Sequence, residues 1–228
     1  MKIDKSTNIH IKDNKSYSGY HVVVSKLVNK YTNTEGRILD IGCGMGNVVQ
    51  LINDERPDIN ISAADPYNNC LISTKSRVNS VTTYKIEPDK FDIEVLGGNY
   101  DTIIMCHSLE HMRCPADAVE QALNLLKPGG KLILAVPNPV RPQVIIGNLF
   151  KKNYVNKGHL YAWDRSHWIN FLEEILSLNV VEYASDMVYV FGPLRGFKLL
   201  KNTLESFEMR LGKMLPWYSF SNIAVIKK

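Results

Sequence analysis

The segment Leu39-Asp40-Ile41-Gly42-Cys43-Gly44-Met45-Gly46 constrains this chain more than any other. Residues 37–41 read as a buried strand, and Val48, Val49, Leu51 and Ile52 beyond the glycines repeat at helical spacing. Alternate glycines between a strand and a helix permit positive φ and let a ligand come close to the backbone. Such a strand–loop–helix unit belongs to a parallel α/β sheet, whose ligands sit at the carboxyl ends of the strands. The chain continues in the same texture. Strands are predicted at 60–64, 81–85, 101–106 and 131–136, with helices at 69–78 and 116–126 and a turn at Lys127-Pro128-Gly129-Gly130. A helix precedes them at 20–31. In the last third, Asp164 caps a helix through Trp168, Phe171, Leu172, Ile175 and Leu176. Strands at 180–184 and 222–226 flank a basic amphipathic stretch at 195–215.

The glycine pattern discriminates between ligands. A dinucleotide fingerprint reads GxGxxG, but here Asn47 stands where the third glycine belongs, and the GK[ST] ending of a phosphate loop is absent. Asp40 closes the first strand beside the loop, which suits an ammonium group better than a phosphate. Asp65, ending the next strand ~20 residues on, stands where ribose hydroxyls are held. A ligand with an amino-acid end and a nucleoside end satisfies both acids, and S-adenosylmethionine is that ligand.

Residues 38–46 (ILDIGCGMG), Asp65, residues 100–112 (YDTIIMCHSLEHM) and 125–138 (LLKPGGKLILAVPN) together resemble class I S-adenosylmethionine-dependent methyltransferases. The nearest likeness is to the bacterial glycan, lipopolysaccharide and quinone methyltransferases. The resemblance covers about residues 36–185 and implies a Rossmann-like α/β fold. Its sheet would have seven mostly parallel strands, the last antiparallel, with helices on both faces. By position, Asp40, Gly42, Cys43, Gly44 and Gly46 would line the methionine end of the cofactor, and Asp65 with Pro66 the ribose. Glu87 would take the adenine-side acid position, where the family has Asp, with Asp89 and Asp92 as alternatives. The backbone at Cys106-His107 would face the sulfonium.

His107-Ser108-Leu109-Glu110-His111 also matches HxxEH, the inverted zinc-peptidase motif, which needs one continuous helix. A strand ending at Cys106 and a proline at 115 leave little room for it. The same segment, with His159 before an aromatic run, is similar to the metal site of RNA-terminus 2′-O-methyltransferases. However, His107 replaces their first glutamate, and imidazole suits zinc better than magnesium. The favoured reading assigns no metal. Methyl transfer to a hydroxyl needs alignment and a proton acceptor, and His107, at the end of the fourth strand, is the candidate base. His111 and His159 are its alternatives, and His111 can equally be a helix-start histidine bonded to backbone. His10, His21 and His167 read as surface or packing residues.

Composition narrows the setting. With 27 Lys+Arg against 23 Asp+Glu in 228 residues, the net charge of +4 is too small to argue for nucleic acid. No apolar run reaches the ~20 residues of a membrane span, and Met1-Lys2-Ile3-Asp4-Lys5 lacks a signal-peptide core. The four cysteines, Cys43, Cys70, Cys106 and Cys114, include no CxxC, so a cytoplasmic chain with reduced thiols is expected.

The expectation is a single domain over 1–228. It has a helical cap at 1–34, a cofactor-binding core at 36–185, cap segments at 139–163 and 187–218, and the last strand at 222–226. Acceptor-side residues would come from Tyr17, Tyr20 and His21, from 141–163, and from 191–218. Residues 138–163 hold four Lys/Arg and no acid, which favours an anionic acceptor. The expected activity is O-methylation of a small or lipid-linked glycan-type acceptor, with peripheral membrane contact or a homodimer as further options. The alternatives are a quinone-pathway methyltransferase, a non-catalytic S-adenosylmethionine-binding protein, and a metal-dependent RNA-terminus 2′-O-methyltransferase.

Overall fold

A computed structural model describes residues 19–150, 158–190 and 201–228, except the side chains of 201 and 202. Tyr17, His10, Lys151, Lys152 and the segment 191–200 lie outside the described residues. The elements in order are α1 (Gly19–Tyr31), β1 (Arg37–Ile41), α2 (Asn47–Glu55), β2 (Asn60–Asp65), α3 (Asn68–Arg77) and β3 (Thr82–Lys85). Then follow α4 (Ile93–Leu96), β4 (Tyr100–Cys106), α5 (Pro115–Leu125), β5 (Leu126–Pro137), α6 (Pro142–Phe150) and α7 (Arg165–Asn170). The chain closes with β6 (Val180–Ser185), α8 (Lys201–Met214) and β7 (Ser221–Lys227).

The seven strands form one sheet in the order β3-β2-β1-β4-β5-β7-β6. β1 to β5 are parallel to one another, and β7 runs antiparallel between β5 and β6. This is the expected methyltransferase-type fold. The central strands read as continuous apolar runs because both of their faces are covered. Alternate residues feed two cores. Leu39, Ile41, Ile103, Met105, Leu132 and Leu134 pack on one side with α5 and Trp168. Ile38, Ile104, Cys106, Ile133 and Val225 pack on the other with Val24 and Val28 of α1 and Val48, Val49 and Ile52 of α2.

Three local expectations change. Lys127-Pro128-Gly129-Gly130 is not a turn between elements but lies within β5. Leu126 pairs with Tyr100 and Lys131 with Thr102, so the ladder slips across an irregularity while Gly129 takes a φ of 75°. Asp164 does cap α7, its Oδ1 accepting the His167 N–H at 3.0 Å. From Phe171 to Ile175, however, the helix widens into a π-turn, and the Leu176 N–H reaches the Phe171 carbonyl. The extra residue per turn rotates Ile175 out to solvent. In α8 the buried positions are Glu208 and Gly212 rather than Phe207, which is exposed. Glu208 Oε1 accepts the Val190 N–H at 2.8 Å, and a Cβ on Gly212 would fall 1.7 Å from the Asp186 carbonyl oxygen. The helix thus docks through a polar contact and a close backbone approach, which hydrophobic spacing does not report. No helix among the described residues is long and apolar enough to cross a membrane.

Candidate active site

The glycine loop is held from two sides. Gly42 and Cys43 donate N–H to the Ala64 carbonyl at 2.8 and 3.2 Å, and Thr74 Oγ1 in α3 donates to the Gly44 carbonyl at 3.1 Å. Gly42, Gly44 and Gly46 have φ of 79°, 52° and 79°. A Cβ at Gly42 would lie 2.5 Å from Ser108 Cβ, and one at Gly46 would lie 2.8 Å from Thr74 Cα. Gly44 instead meets nothing within 4 Å on that side. Two glycines are therefore required by packing, and the middle one leaves open space.

That space is part of a cavity of about 740 Å³ at the carboxyl ends of β1, β2 and β4. Gly42, Gly44, Asp65 and Pro66 line it, whereas Asp40, Cys43, Gly46 and Cys106 are buried behind the wall. Asp65 uses its carboxylate to order the rim, accepting the Gly44 N–H at 3.0 Å and the Tyr67 N–H at 2.8 Å. Burial, reinforced by the charge of Asp65, pushes the Asp40 carboxyl up to about 7.

Of the acids offered for the adenine side, Asp89 lines the cavity and Glu87 and Asp92 do not. Glu87 is exposed and bridges to Lys90, away from the cavity wall. Ile86, Pro88, Asp89 and Phe91 line the wall instead. The chain turns sharply after β3, with Asp89 at a φ of 65° and its Oδ1 accepting the Arg113 N–H at 3.0 Å. This turn brings Asp89, an alternative in the sequence reading, to the cavity wall.

The opposite wall holds the histidines. His107 has a φ of 52° and donates its N–H to the Ala135 carbonyl at 2.8 Å. Its ring joins a group of nearly parallel rings with Tyr20 and Phe220, and its Nε2 lies 2.8 Å from Ser221 Oγ. Burial, with Arg141 adding to it, holds this imidazole well below its usual pKa, so it is neutral at pH 7. Ser221 also donates its N–H at 2.9 Å to the fully buried Asp186. The segment Leu109–His111 is a single 3-10 turn, too short for the helix an inverted zinc-peptidase motif needs. His111 and His159 join the same wall, while His21 is buried in packing and His167 pairs with Asp164 outside it.

Sequence reasoning included Tyr20 and the segment beginning at Arg141 but not the partners that fix His107. Phe220, Ser221 and Asp186 come from the far end of the chain, and Arg141 stacks 4.3 Å above Phe220. The one available signal was the antiparallel last strand, whose start must lie beside the ends of β4 and β5. The cavity thus joins a glycine-cradled, acid-rimmed half to a half lined by imidazoles, a guanidinium and a buried carboxyl.

A family model described as a methyltransferase domain matches residues 20–175. A malonyl-[acyl-carrier protein] O-methyltransferase from Priestia megaterium (strain DSM 319 / IMG 1521) is 27% identical over 140 residues, 58% of this chain. The chain spans 50% of that relative's length. An uncharacterized methyltransferase from Staphylococcus carnosus (strain TM300) is 24% identical, over 79% of this chain and 81% of the relative. Among solved structures, the N-methyltransferase NodS from Bradyrhizobium japonicum WM9, in complex with S-adenosyl-L-homocysteine, superposes with a TM-score of 0.62 at 12% identity. That superposition covers 98% of this chain and 96% of NodS.

Proposed function

The chain belongs to the class I S-adenosylmethionine-dependent methyltransferases, and on that premise we propose that it methylates a hydroxyl oxygen of a small anionic acceptor. The substrate class is a glycan-type intermediate, free or lipid-linked. The observation that carries this reading is the pairing of Arg141 with three histidines on the wall facing the glycine loop.

The residues present fit the methyl donor. Gly44 leaves open space where any other residue would put a side chain, and Gly42 and Gly46 keep the loop in the shape that makes it. Asp65 offers a carboxylate to ribose hydroxyls, Asp40 a buried acid beneath the amino-acid end, and Asp89 an acid at the adenine end. S-adenosylmethionine supplies a methyl carbon activated by positively charged sulfur. The protein's part is to align the acceptor oxygen and to take its proton, and orientation of this kind can contribute ~7–11 kcal/mol.

His107 is the proton acceptor in this reading. In the tautomer whose Nε2–H donates to Ser221 Oγ, Nδ1 is the ring's acceptor atom. A freshly methylated hydroxyl is a strong acid until it sheds its proton, so an imidazole below its usual pKa is still basic enough. Arg141, stacked on Phe220, meets the negative charge of the acceptor.

The experiment has two stages. Thermal shift with S-adenosylmethionine and S-adenosylhomocysteine should stabilise the wild type by ~2.7 kcal/mol at 100 times the dissociation constant. Asp65→Ala should abolish the shift, and a wild type that does not respond would end the donor assignment. Transfer assays should then methylate sugar phosphates, with Arg141→Met raising KM more than it lowers kcat. Turnover of neutral polyphenols with sugar phosphates ignored would overturn the acceptor class.

A further inference from the structure

His107 follows the last residue of β4, Asp186 follows the last residue of β6, and Ser221 opens β7. In the sheet β5 lies between β4 and β7, and β6 flanks β7 on its other side. Because β7 is antiparallel, its start stands level with the ends of its neighbours: Ser221 pairs with Pro137, and Asn222 with Ser185. Ser221 therefore comes between the histidine and the acid. Its Oγ lies 2.8 Å from His107 Nε2, and its N–H donates to Asp186 Oδ1 at 2.9 Å. We propose that Asp186 and Ser221 are positioning residues that commit His107 to one tautomer, with the proton on Nε2 and the lone pair on Nδ1.

Asp186 is fully buried, and its Oδ2 has no hydrogen-bond partner among the described residues. An amide would accept the Ser221 N–H equally well, so that bond alone does not account for a buried acid. The Ser221 side chain is a second group that holds this carboxyl. An ionised carboxylate can only accept, so a hydroxyl facing it gives up its hydrogen and presents a lone pair to the ring. Nε2 must then be the donor, and Nδ1 is left as the basic nitrogen. Burial raises the Asp186 carboxyl to about 7, and above that pH it is the acceptor this arrangement needs. An imidazolium formed at Nδ1 would keep its Nε2–H bond to Ser221 with the negative acid behind it, the service a buried carboxylate gives a catalytic histidine.

The surroundings hold the three residues in place. A Cβ at Gly212 of α8 would fall 1.7 Å from the Asp186 carbonyl oxygen, and the adjacent Met187 carbonyl accepts the Phe220 N–H at 2.9 Å. Tyr20 and Phe220 fix the plane of the imidazole, lying 15° and 11° from parallel to it. Arg141 and the imidazoles of His21, His159 and His111 all disfavour the His107 cation. An ionised Asp186 acts in the opposite sense. The tautomer itself does not depend on the methyltransferase reading; its use in taking the acceptor's proton rests on that reading.

The test is NMR of the full chain with isotopically labelled histidine nitrogens, recorded without donor or acceptor on the alkaline side of the Asp186 titration. Long-range proton–nitrogen correlations within each ring report which nitrogen carries the hydrogen, and His107→Asn identifies the His107 signals by their loss. The wild type should show Nε2–H. Ser221→Ala removes the hydroxyl, and the amide of Asp186→Asn can donate to Ser221 Oγ and turn its hydrogen toward the ring. Each should therefore raise the Nδ1–H population. In transfer assays with S-adenosylmethionine and a sugar phosphate, both should lower kcat by ~10–10²-fold, a part of the ~10²–10⁴ a positioned base contributes, and leave the acceptor KM within a few-fold. Cooperative thermal unfolding shows that a variant is folded, and the near-isosteric Asp186→Asn carries the test should Ser221→Ala not fold. Nδ1–H in the wild type, or an unchanged tautomer in the folded variants, would overturn the proposal. Nε2–H in the wild type beside undiminished turnover in His107→Asn would remove the base and leave the tautomer assignment standing.

Discussion

The imidazole of His107 stacks on the ring of Tyr20, with centroids 4.2 Å apart and planes 15° from parallel. Phe220 lies nearly parallel to both, at 5.7 and 6.4 Å. The first helix thus supplies one side of the candidate base, and the residue before the last strand supplies another. Tyr20→Phe keeps this stack and should keep turnover within a few-fold of wild type, whereas Tyr20→Ala should lower it. His107→Asn should lower turnover by ~10²–10⁴ with donor affinity unchanged, since asparagine accepts the left-handed backbone that His107 adopts. Steady-state rates beside donor titrations check this, and undiminished turnover in His107→Asn would remove His107 as the base.

The three loop glycines should separate into two kinds. Gly42→Ala and Gly46→Ala combine a positive φ with a Cβ inside van der Waals contact, and each should lose ~2–4 kcal/mol in denaturant unfolding. Gly44→Ala meets no atom, so it should lose ~1–2 kcal/mol from its φ alone. Its methyl group enters the cavity, so donor affinity should fall despite the milder effect on folding. Equal stability losses at all three positions would contradict the packing described for the loop.

Asp186 gives a pH signature. Burial pushes its carboxyl up to about 7 from an ordinary 3.8, and the N–H groups of Ser221 and Phe220 pull it only part of the way back. Between these values the unfolded chain has released the proton and the folded chain still holds it. The contribution to stability is therefore full at the acid end and is lost as pH rises to about 7, by up to ~1.4 kcal/mol per unit. Asp186→Asn keeps an oxygen for the Ser221 N–H and cannot ionise. Its stability relative to wild type should climb across that window and level off above it, as read by urea unfolding at fixed salt.

Much of the fold is legible in the sequence because it is local. Strand–loop–helix alternation needs only hydrophobic period and turn residues, and residues 37–41 are the observed β1. Gly42, Gly44 and Asp65 reach the cavity for the same reason, since a strand end fixes where the following loop must stand. The misses are of another kind. Glu87 and Asp89 differ by two residues in a turn whose direction depends on a bond to Arg113, and nothing near either acid reveals it. Leu204, Phe207 and Leu211 fall at helical spacing in the amphipathic stretch, yet it is Glu208 that is buried, because its partner is the distant Val190 amide. Ser221 and Phe220 meet His107 only through the antiparallel pairing of β7 with β5. Glu110 enters the sequence reading only within the metal motifs set aside there, and that its carboxylate has no hydrogen-bond partner among the described residues is a fact of three dimensions.

The antiparallel β7 also sets an order of assembly. Its first residues, Ser221 and the preceding Phe220, touch a histidine made more than a hundred residues earlier in synthesis. A ribosome that has emitted β1 to β5 has produced the glycine cradle and Asp65, but the histidine wall is still missing its serine and its phenylalanine. The glycine loop and Asp65 are thus synthesised before the histidine wall is complete. Premature termination before β7 would leave β5 without its antiparallel neighbour and the His107 ring without Ser221 and Phe220.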